Sequence, residues 1–208
     1  MAKRRVTNPL ALAVLSCLCQ RPMHPYEMAS TMRLQHQESA VKLNYGSLYS
    51  VVDVLGRAGF VRPLETTRKG RRPERTTYEV TDAGRAEMTD WLRELIGVPA
   101  KEFTRFGAGL TFMMALPPDE ALEQLAVRVD LLEDQVRVAR AALAATAEGS
   151  ATRPGVARIH LVEDDYELAM KEAELDWVRK LIQGISDRSI DGVDYWREHH
   201  AGGQDGSP

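Results

Sequence analysis

The sequence has few features of a membrane, secreted or zinc-binding protein. No apolar run approaches the roughly 20 residues that span a bilayer. The 2 cysteines, Cys17 and Cys19, lie two positions apart on an apparent helix and so on different faces, which argues against a local disulfide or a zinc site. The basic, then apolar N-terminus contains no small-residue cleavage site, so we expect no signal peptide. A soluble, cytoplasmic and nucleoid-associated protein is expected.

Patterns of catalytic and cofactor sites are also missing. Nothing resembles a nucleophile with its base, a phosphate-binding loop or a dinucleotide fingerprint. His24, His36 and His160 have no metal-ligand spacing with Cys, Asp or Glu, and His199 and His200 fall in a predicted tail. The sequence therefore predicts no enzyme, no metal site and no cofactor.

Charge is divided unevenly along the chain. Residues 1–80 carry 13 Lys and Arg against 6 Asp and Glu, a net charge of +7, whereas residues 81–208 carry 14 against 24, a net charge of −10. Much of the positive charge lies in the segment RKGRRPERTTYEV, which contains five cations that we call the loop cations: Arg68, Lys69, Arg71, Arg72 and Arg75. This asymmetry indicates that the first part of the chain faces a polyanion.

The first part of the chain has the element order of a winged helix-turn-helix. One apolar helix starts at Asn8-Pro9, and a second begins at His24 or Pro25. The third has an apolar stripe at i, i+3, i+4 and i+7, formed by Leu48, Val51, Val52 and Leu55. Two strand-like segments then flank the loop cations, and a further helix follows. This order predicts that the third helix enters the DNA major groove and that the hairpin is the wing.

Long helices are predicted after Gly97-Val98-Pro99. Seven apolar residues alternate in spacing between three and four, a coiled-coil pattern: Leu122, Leu125, Val129, Leu132, Val136, Ala139 and Leu143. A second long helix, from about residue 156 to 185, continues this seam through Ile159, Val162, Tyr166, Ala169, Ala173, Trp177, Leu181 and Ile185. One small protomer is not expected to bury both stripes, so a homodimer is predicted. The expected divisions are a DNA-binding domain (1–97), a helical dimerisation domain (98–198) and a disordered tail (199–208).

Three segments resemble the PadR family of transcriptional regulators. They are LALAVLSCLCQRPMHPYEMASTMR, YGSLYSVVDVLGRAGFV and GRRPERTTYEVTDAGRAEMTDWL, which cover residues 9–93 in the family's order and spacing. The later helices are similar in pattern to the longer-tailed PadR subfamily. Pro25 replaces the glycine of the family's HGYE stretch and is compatible with a helix start. The resemblance implies a dimeric DNA-binding repressor, released by a small aromatic or hydrophobic effector. The element order predicts a mainly α (α+β) fold, and a dimer predicts a palindromic operator.

Two groups of residues are candidates for DNA contact. The loop cations suit phosphates or a narrow minor groove, although a solvated hairpin tip is the alternative. The third helix and its approach offer Lys42, Asn44, Tyr45, Ser47 and Tyr49, of which Tyr49 matches the family's SLYP-type tyrosine.

The candidates for an effector site are aromatic: Trp91, Phe103, Phe106, Phe112, Tyr166 and Trp177. An aromatic residue in such a position is more often a core residue than part of a pocket. Two further functions stay open: a winged-helix regulator without a small-molecule effector, and a protein-interaction scaffold.

Overall fold

The computed structural model describes residues 8–35, 41, 44–67, 75–150 and 153–201, without the side chains of residues 65–67, 75, 150 and 153. Its elements are α1 (Pro9–Gln20), α2 (Pro25–Leu34), α3 (Tyr45–Arg57), β1 (Val61–Thr67), β2 (Arg75–Val80), α4 (Asp82–Gly97), α5 (Arg105–Thr111), α6 (Pro118–Glu148), β3 (Gly149–Ser150), β4 (Arg153–Pro154), α7 (Val162–Ser186) and α8 (Val193–Ala201). Two 3-10 turns cover Met113–Ala115 and Arg158–Leu161. The chain forms two compact units, Met1–Lys101 and Glu102–Pro208.

The helices of the first unit begin where the sequence supplies side-chain caps. The Asn8 side chain accepts the Leu10 N–H at 3.0 Å, and Pro9 follows at the first helical position. At the start of α4, Thr81 Oγ1 accepts the Gly84 N–H at 3.1 Å. These polar caps satisfy backbone donors that have no partner within the helix.

The core of the first unit is built mainly from the apolar faces of α1, α2 and α3. The α3 stripe is buried as its spacing predicts, and the largest fully buried side chains are Leu10, Leu15, Leu18, Met23, Met28, Met32, Leu48, Leu55, Val14 and Val52. Val61 and Val80 pack into this core from the base of the hairpin, and Trp91 packs into it from α4. The helix-turn-helix pair is therefore held by continuous apolar packing rather than by polar contacts.

The hairpin is attached to the helical part through a backbone bridge before α2. Its strands pair antiparallel, from Val61 opposite Val80 outward, with a register shift between Pro63 and Glu65. Tyr78 exchanges both backbone hydrogen bonds with Met23, just before α2, each at 3.0 Å. Because Met23 is itself buried, this bridge fixes the hairpin to the start of the helix-turn-helix.

In the second unit, α6 and α7 pack against each other within one protomer. The α6 seam is buried at Leu125, Leu132 and Val136, in clusters that include α7. The expectation that these seams need a second copy is therefore wrong for α6. The α7 side chains that meet α6 belong to a leucine-rich stripe: Leu168, Leu175, Val178, Leu181, Ile182 and Ile185.

Most of the stripe that we predicted as the α7 seam is instead exposed. A 3-10 turn precedes α7, so the helix begins at Val162 rather than near residue 156. Ile159, Tyr166 and Trp177 retain 71%, 65% and 48% of their surface. The helix carries two apolar stripes, and spacing alone did not distinguish the one that contacts α6.

The last helix also differs from the prediction. The expected disordered tail began at residue 199, yet α8 continues to Ala201. Trp196 is buried, its indole N–H donates to Leu116 O at 2.9 Å, and His200 Nε2 lies 2.9 Å from Met114 O. These contacts hold α8 against the segment that contains Met114 and Leu116. The glycine-rich sequence after residue 201 led us to predict disorder too early in the chain. None of the helices described is long and apolar enough to cross a bilayer.

Candidate nucleic-acid interface

The third helix presents a polar and aromatic face opposite its buried stripe. Asn44 caps the helix, with its Oδ1 accepting the Ser47 N–H at 2.7 Å. Tyr45 and Tyr49 are 41% and 48% exposed and lie one turn apart. Ser47 is only half-buried, so it contributes less surface than the two tyrosines.

Three residues outside the predicted set share this exposed face: Ser50, Asp53 and Arg57. The hydroxyl of Ser50 donates to Gly46 O at 3.0 Å, a bond within the helix. Asp53 places an acidic group beside the tyrosines, and Arg57 donates to Asp53 O at 3.4 Å. The spacing of the buried stripe predicts the exposure of these residues, because the side chains on the opposite face of the helix must point outward.

The amino end of α2 lies beside this face. His24 and Glu27 form a capping box, in which His24 Nδ1 accepts the Tyr26 N–H at 3.1 Å and Glu27 Oε2 accepts the His24 N–H at 2.9 Å. The His24 ring meets the Tyr49 ring edge-on at 6.3 Å between centroids. Because one histidine nitrogen accepts a hydrogen bond, the cap requires the neutral imidazole.

Aromatic stacking joins α2 to the start of α3. The rings of Tyr26 and Tyr45 are nearly parallel, with centroids 6.0 Å apart and planes inclined by 10°. Arg33, near the end of α2, donates from Nη1 to the Tyr45 hydroxyl at 2.9 Å. The Tyr45 ring is therefore held by α2 from two directions.

The hairpin approaches the same face through Tyr78. Burial raises the pKa of the Tyr78 hydroxyl, and the nearby Asp53 and Tyr49 raise it further. Tyr78 therefore stays protonated and able to donate well above neutral pH. Tyr78 therefore brings β2 close to the exposed face of α3.

Most of the loop cations lie outside the described residues. This holds for Arg68, Lys69, Arg71 and Arg72, and also for Lys42 before α3. Arg75 is placed through its backbone, as the first residue of β2, paired with Thr67. The assignment of these residues to DNA contact stays a prediction.

The six aromatic effector candidates are divided between the two units, with Trp91 in the first and the other five in the second. Trp91 belongs to the core of the first unit, with 4% of its surface exposed. In the second unit Phe106 and Trp177 meet edge-on, at 6.2 Å between centroids. Phe103, Phe112 and Tyr166 are 87%, 72% and 65% exposed.

A guanidinium accompanies the aromatic pair of the second unit. The Arg128 guanidinium carbon lies 3.7 Å from the centroid of the Phe106 ring, and Arg128 also pairs with Glu174. This arrangement combines a flat apolar wall with a cation. No cluster of three or more potential metal ligands occurs among the residues that the structure describes.

The first unit thus has the fold of winged helix-turn-helix proteins. Residues 14–90 match the model of the transcriptional regulator PadR-like family. This match covers most of the first unit, and the PadR-like family is a family of transcriptional regulators rather than of enzymes. No curated protein matches the chain significantly.

Solved structures share the fold of both units at low sequence identity. Bacillus subtilis PadR in complex with operator DNA is 19% identical, with a TM-score of 0.62 over 85% of this chain and 98% of that one. The same protein in complex with p-coumaric acid is 18% identical, with a TM-score of 0.62 over 84% and 96%. The Vibrio cholerae virulence activator AphA is 18% identical, with a TM-score of 0.58 over 86% and 99%. The predicted fold class is confirmed.

Proposed function

We propose that the chain is a sequence-specific DNA-binding repressor that acts as a homodimer and is released by a small aromatic or hydrophobic effector. The main observation behind this proposal is the exposed face of α3, flanked by α2 and the hairpin, in a unit that matches the PadR-like family model over residues 14–90. An α-helix fits the major groove of B-DNA, where each base pair presents a distinct pattern of donors and acceptors.

The role of Asn44 on DNA is restricted by its cap. Its Oδ1 is engaged by the Ser47 N–H, so the amide NH₂ is the part that faces outward. An amide donor suits an acceptor such as guanine O6 or N7, or a phosphate oxygen. Asn44 can therefore act on DNA as a donor through its NH₂ group, while one lone pair of its Oδ1 is used by the helix cap.

The loop cations and Lys42 supply the sequence-independent part of binding. They belong to the part of the chain with a net charge of +7, whereas the remainder is acidic. Neutralising phosphates releases condensed counterions, which is a large source of affinity for DNA. The hairpin strands, fixed at Met23 and Tyr78, set where the loop between them begins and ends.

The second unit supports dimerisation through an exposed apolar stripe that runs from the 3-10 turn before α7 along that helix, which we call the α7 stripe. Ile159, Val162, Tyr166, Met170 and Trp177 each keep between 48% and 71% of their surface. Apolar side chains repeated along one helix face favour burial against another protein surface. A second copy of the chain supplies a matching stripe by symmetry, as closed two-fold dimers require.

An aromatic acid is the proposed class of effector. Bacillus subtilis PadR has been solved with p-coumaric acid. In this chain Phe106, Trp177 and Arg128 together offer an aromatic wall and a guanidinium, the groups that an aromatic carboxylate needs. The remaining candidates, Trp91, Phe103, Phe112 and Tyr166, stay part of the proposed set.

The decisive experiment is the salt dependence of binding to duplex DNA. Affinity should fall steeply with salt, and replacing both Arg71 and Arg72 by Ala should reduce the slope by about 2, near 0.9 for each phosphate that is no longer neutralised. The matched control replaces Arg93 and Arg137, which are exposed and paired with Asp90 and Asp134. An absence of DNA binding at low salt would favour the interaction scaffold instead.

Effector release is tested in the same assay. Adding p-coumaric acid should weaken DNA binding by the wild-type chain, and Arg128→Ala should reduce that response while DNA binding without effector stays unchanged. A wild-type chain that binds DNA but ignores p-coumaric acid and related aromatic acids would favour the regulator without an effector.

A further inference from the structure

The contact between α2 and α3 carries an inference about a residue that the sequence did not single out. Arg33 lies near the carboxyl end of α2, twelve positions before Tyr45, and it is exposed. Its guanidinium carbon is 5.2 Å from the centroid of the Tyr45 ring. Tyr26, the second residue of α2, stacks on the same ring and is 57% exposed.

The hydrogen bond from Arg33 fixes what the Tyr45 hydroxyl can do. The hydroxyl oxygen accepts from Arg33 Nη1, so its own proton is left to donate. A guanidinium that donates to the oxygen also withdraws electron density from it, which strengthens the O–H donor. The two side chains therefore present an N–H donor group and an O–H donor next to each other.

We propose that Arg33 and Tyr45, with Tyr45 positioned by Tyr26, form one phosphate-binding site at the start of α3, and this inference rests on the proposed DNA-binding function. A backbone phosphate of duplex DNA accepts from the Tyr45 hydroxyl and pairs with the Arg33 guanidinium. Arginine donors in a planar fork suit a tetrahedral oxyanion. Tyr26 is a positioning residue, since its stacked ring restricts Tyr45 without touching the phosphate.

The geometry of the cluster distinguishes this role from plain surface packing. Exposed side chains with long flexible stems normally lose entropy when they are held, so isolated surface contacts contribute little to stability. Here two aromatic rings and one guanidinium hold each other on the exposed side of α2 and α3. The helix amino end adds a partial positive charge at the place where Tyr45 stands, which further favours an anion.

The test measures affinity for a mixed-sequence duplex of about 30 base pairs over a range of salt concentrations, with the full chain. A phosphate contact is independent of sequence, so no operator is needed. For Arg33→Ala we expect the slope of log affinity against log salt to fall by about 0.9. Arg33→Gln keeps a long side chain and a donor without the charge, and we expect the same fall. Arg93→Ala, an equal charge change on α4, should leave the slope unchanged.

The tyrosine is tested by deleting one atom. Tyr45→Phe should weaken binding roughly tenfold, the size of one hydrogen bond to a charged group, with little effect on the slope. Combined with Arg33→Ala, the loss should be smaller than the product of the single losses, because both residues act on one phosphate. Tyr26→Leu should weaken binding less than Tyr45→Phe and leave the slope unchanged.

The outcomes separate this inference from the function on which it rests. If the wild-type chain binds duplex DNA and Arg33→Ala and Arg33→Gln change the slope no more than Arg93→Ala does, the phosphate site is wrong and the DNA-binding function stands. If the losses of Arg33→Ala and Tyr45→Phe simply multiply, the two residues do not share a phosphate. A wild-type chain that fails to bind any duplex at low salt overturns both.

Discussion

Gly84 is the position where the structure predicts the sharpest response to a single added atom. It lies in the first turn of α4, where its N–H is capped by Thr81. A Cβ built on Gly84 would lie 2.1 Å from Phe60 O and 2.9 Å from Val80 Cγ2. The carbonyl oxygen belongs to the backbone at the base of the hairpin, so it cannot rotate away as a side chain would.

The expected cost of Gly84→Ala follows from two opposing effects. Alanine favours a helix over glycine by about 1 kcal/mol. Forcing one methyl group into a packed site costs about 1–3 kcal/mol, and contact with a backbone oxygen belongs at the upper end or beyond. We therefore expect a net loss of about 2 kcal/mol, or an unfolding midpoint about 8–16 °C lower for a unit of this size.

The assay is thermal and urea unfolding of the full chain, followed by circular dichroism. Gly56→Ala on α3 is the matched control, because a Cβ there meets nothing within 4 Å, and it should stabilise the unit by about 0.5–1 kcal/mol. If Gly84→Ala were as stable as the wild type, the close packing of α4 on the hairpin base would be wrong.

Further predictions concern Asn44, the α7 stripe and Cys17. Asn44→Ala should destabilise the first unit by about 1 kcal/mol in urea unfolding through loss of the α3 cap, whereas Asn44→Asp should keep that stability and still weaken DNA binding by charge repulsion; equal stability of Ala and Asn would refute the cap. Tyr166→Lys should shift the dimer to monomer in sedimentation, whereas Tyr195→Lys, at the same 65% exposure on α8, should not; an unchanged dimer would place the interface elsewhere. Burial raises the pKa of the Cys17 thiol to about 11, from 9.0, so the folded state binds more protons than the unfolded state between these values. The contribution of Cys17 to the free energy of unfolding is therefore fully present below pH 9, and about 2–3 kcal/mol of it is lost as the pH rises to 11. Cys17→Val should remove this part of the pH dependence in urea unfolding. Identical pH profiles for Cys17→Val and the wild type would contradict it.

The helix-turn-helix could be predicted because its periodic signals are local. Leu48, Val51, Val52 and Leu55 are buried as their spacing requires, and Gly59 adopts a φ of 79° just beyond α3. Each signal depends on neighbours within a few positions, which is the range over which helix geometry repeats. The Asn44 cap was equally local, and an asparagine before a helical stripe is the signal that would have found it.

Tertiary choices were harder to predict. The α7 helix carries one stripe through Leu168 and Leu175 and another through Tyr166 and Trp177, and both have helical spacing. Packing against α6 determines which stripe is buried, and the face of α7 that meets α6 is the one with the leucine side chains. Nothing in the sequence indicated that Arg33 meets Tyr45, because a periodic pattern does not link residues on different helices.

Selection of binding sites from a pool of random duplex DNA tests the central claim most directly. A dimeric winged helix-turn-helix regulator should enrich an inverted repeat whose half-sites lie about one helical turn apart, roughly 34 Å. Changing Ser47 or Asn44 should alter the enriched bases, and changing the loop cations should weaken binding across all sequences. Two results would contradict the account. In one, the chain binds duplex DNA weakly and enriches no common sequence. In the other, it enriches a single half-site that is not repeated.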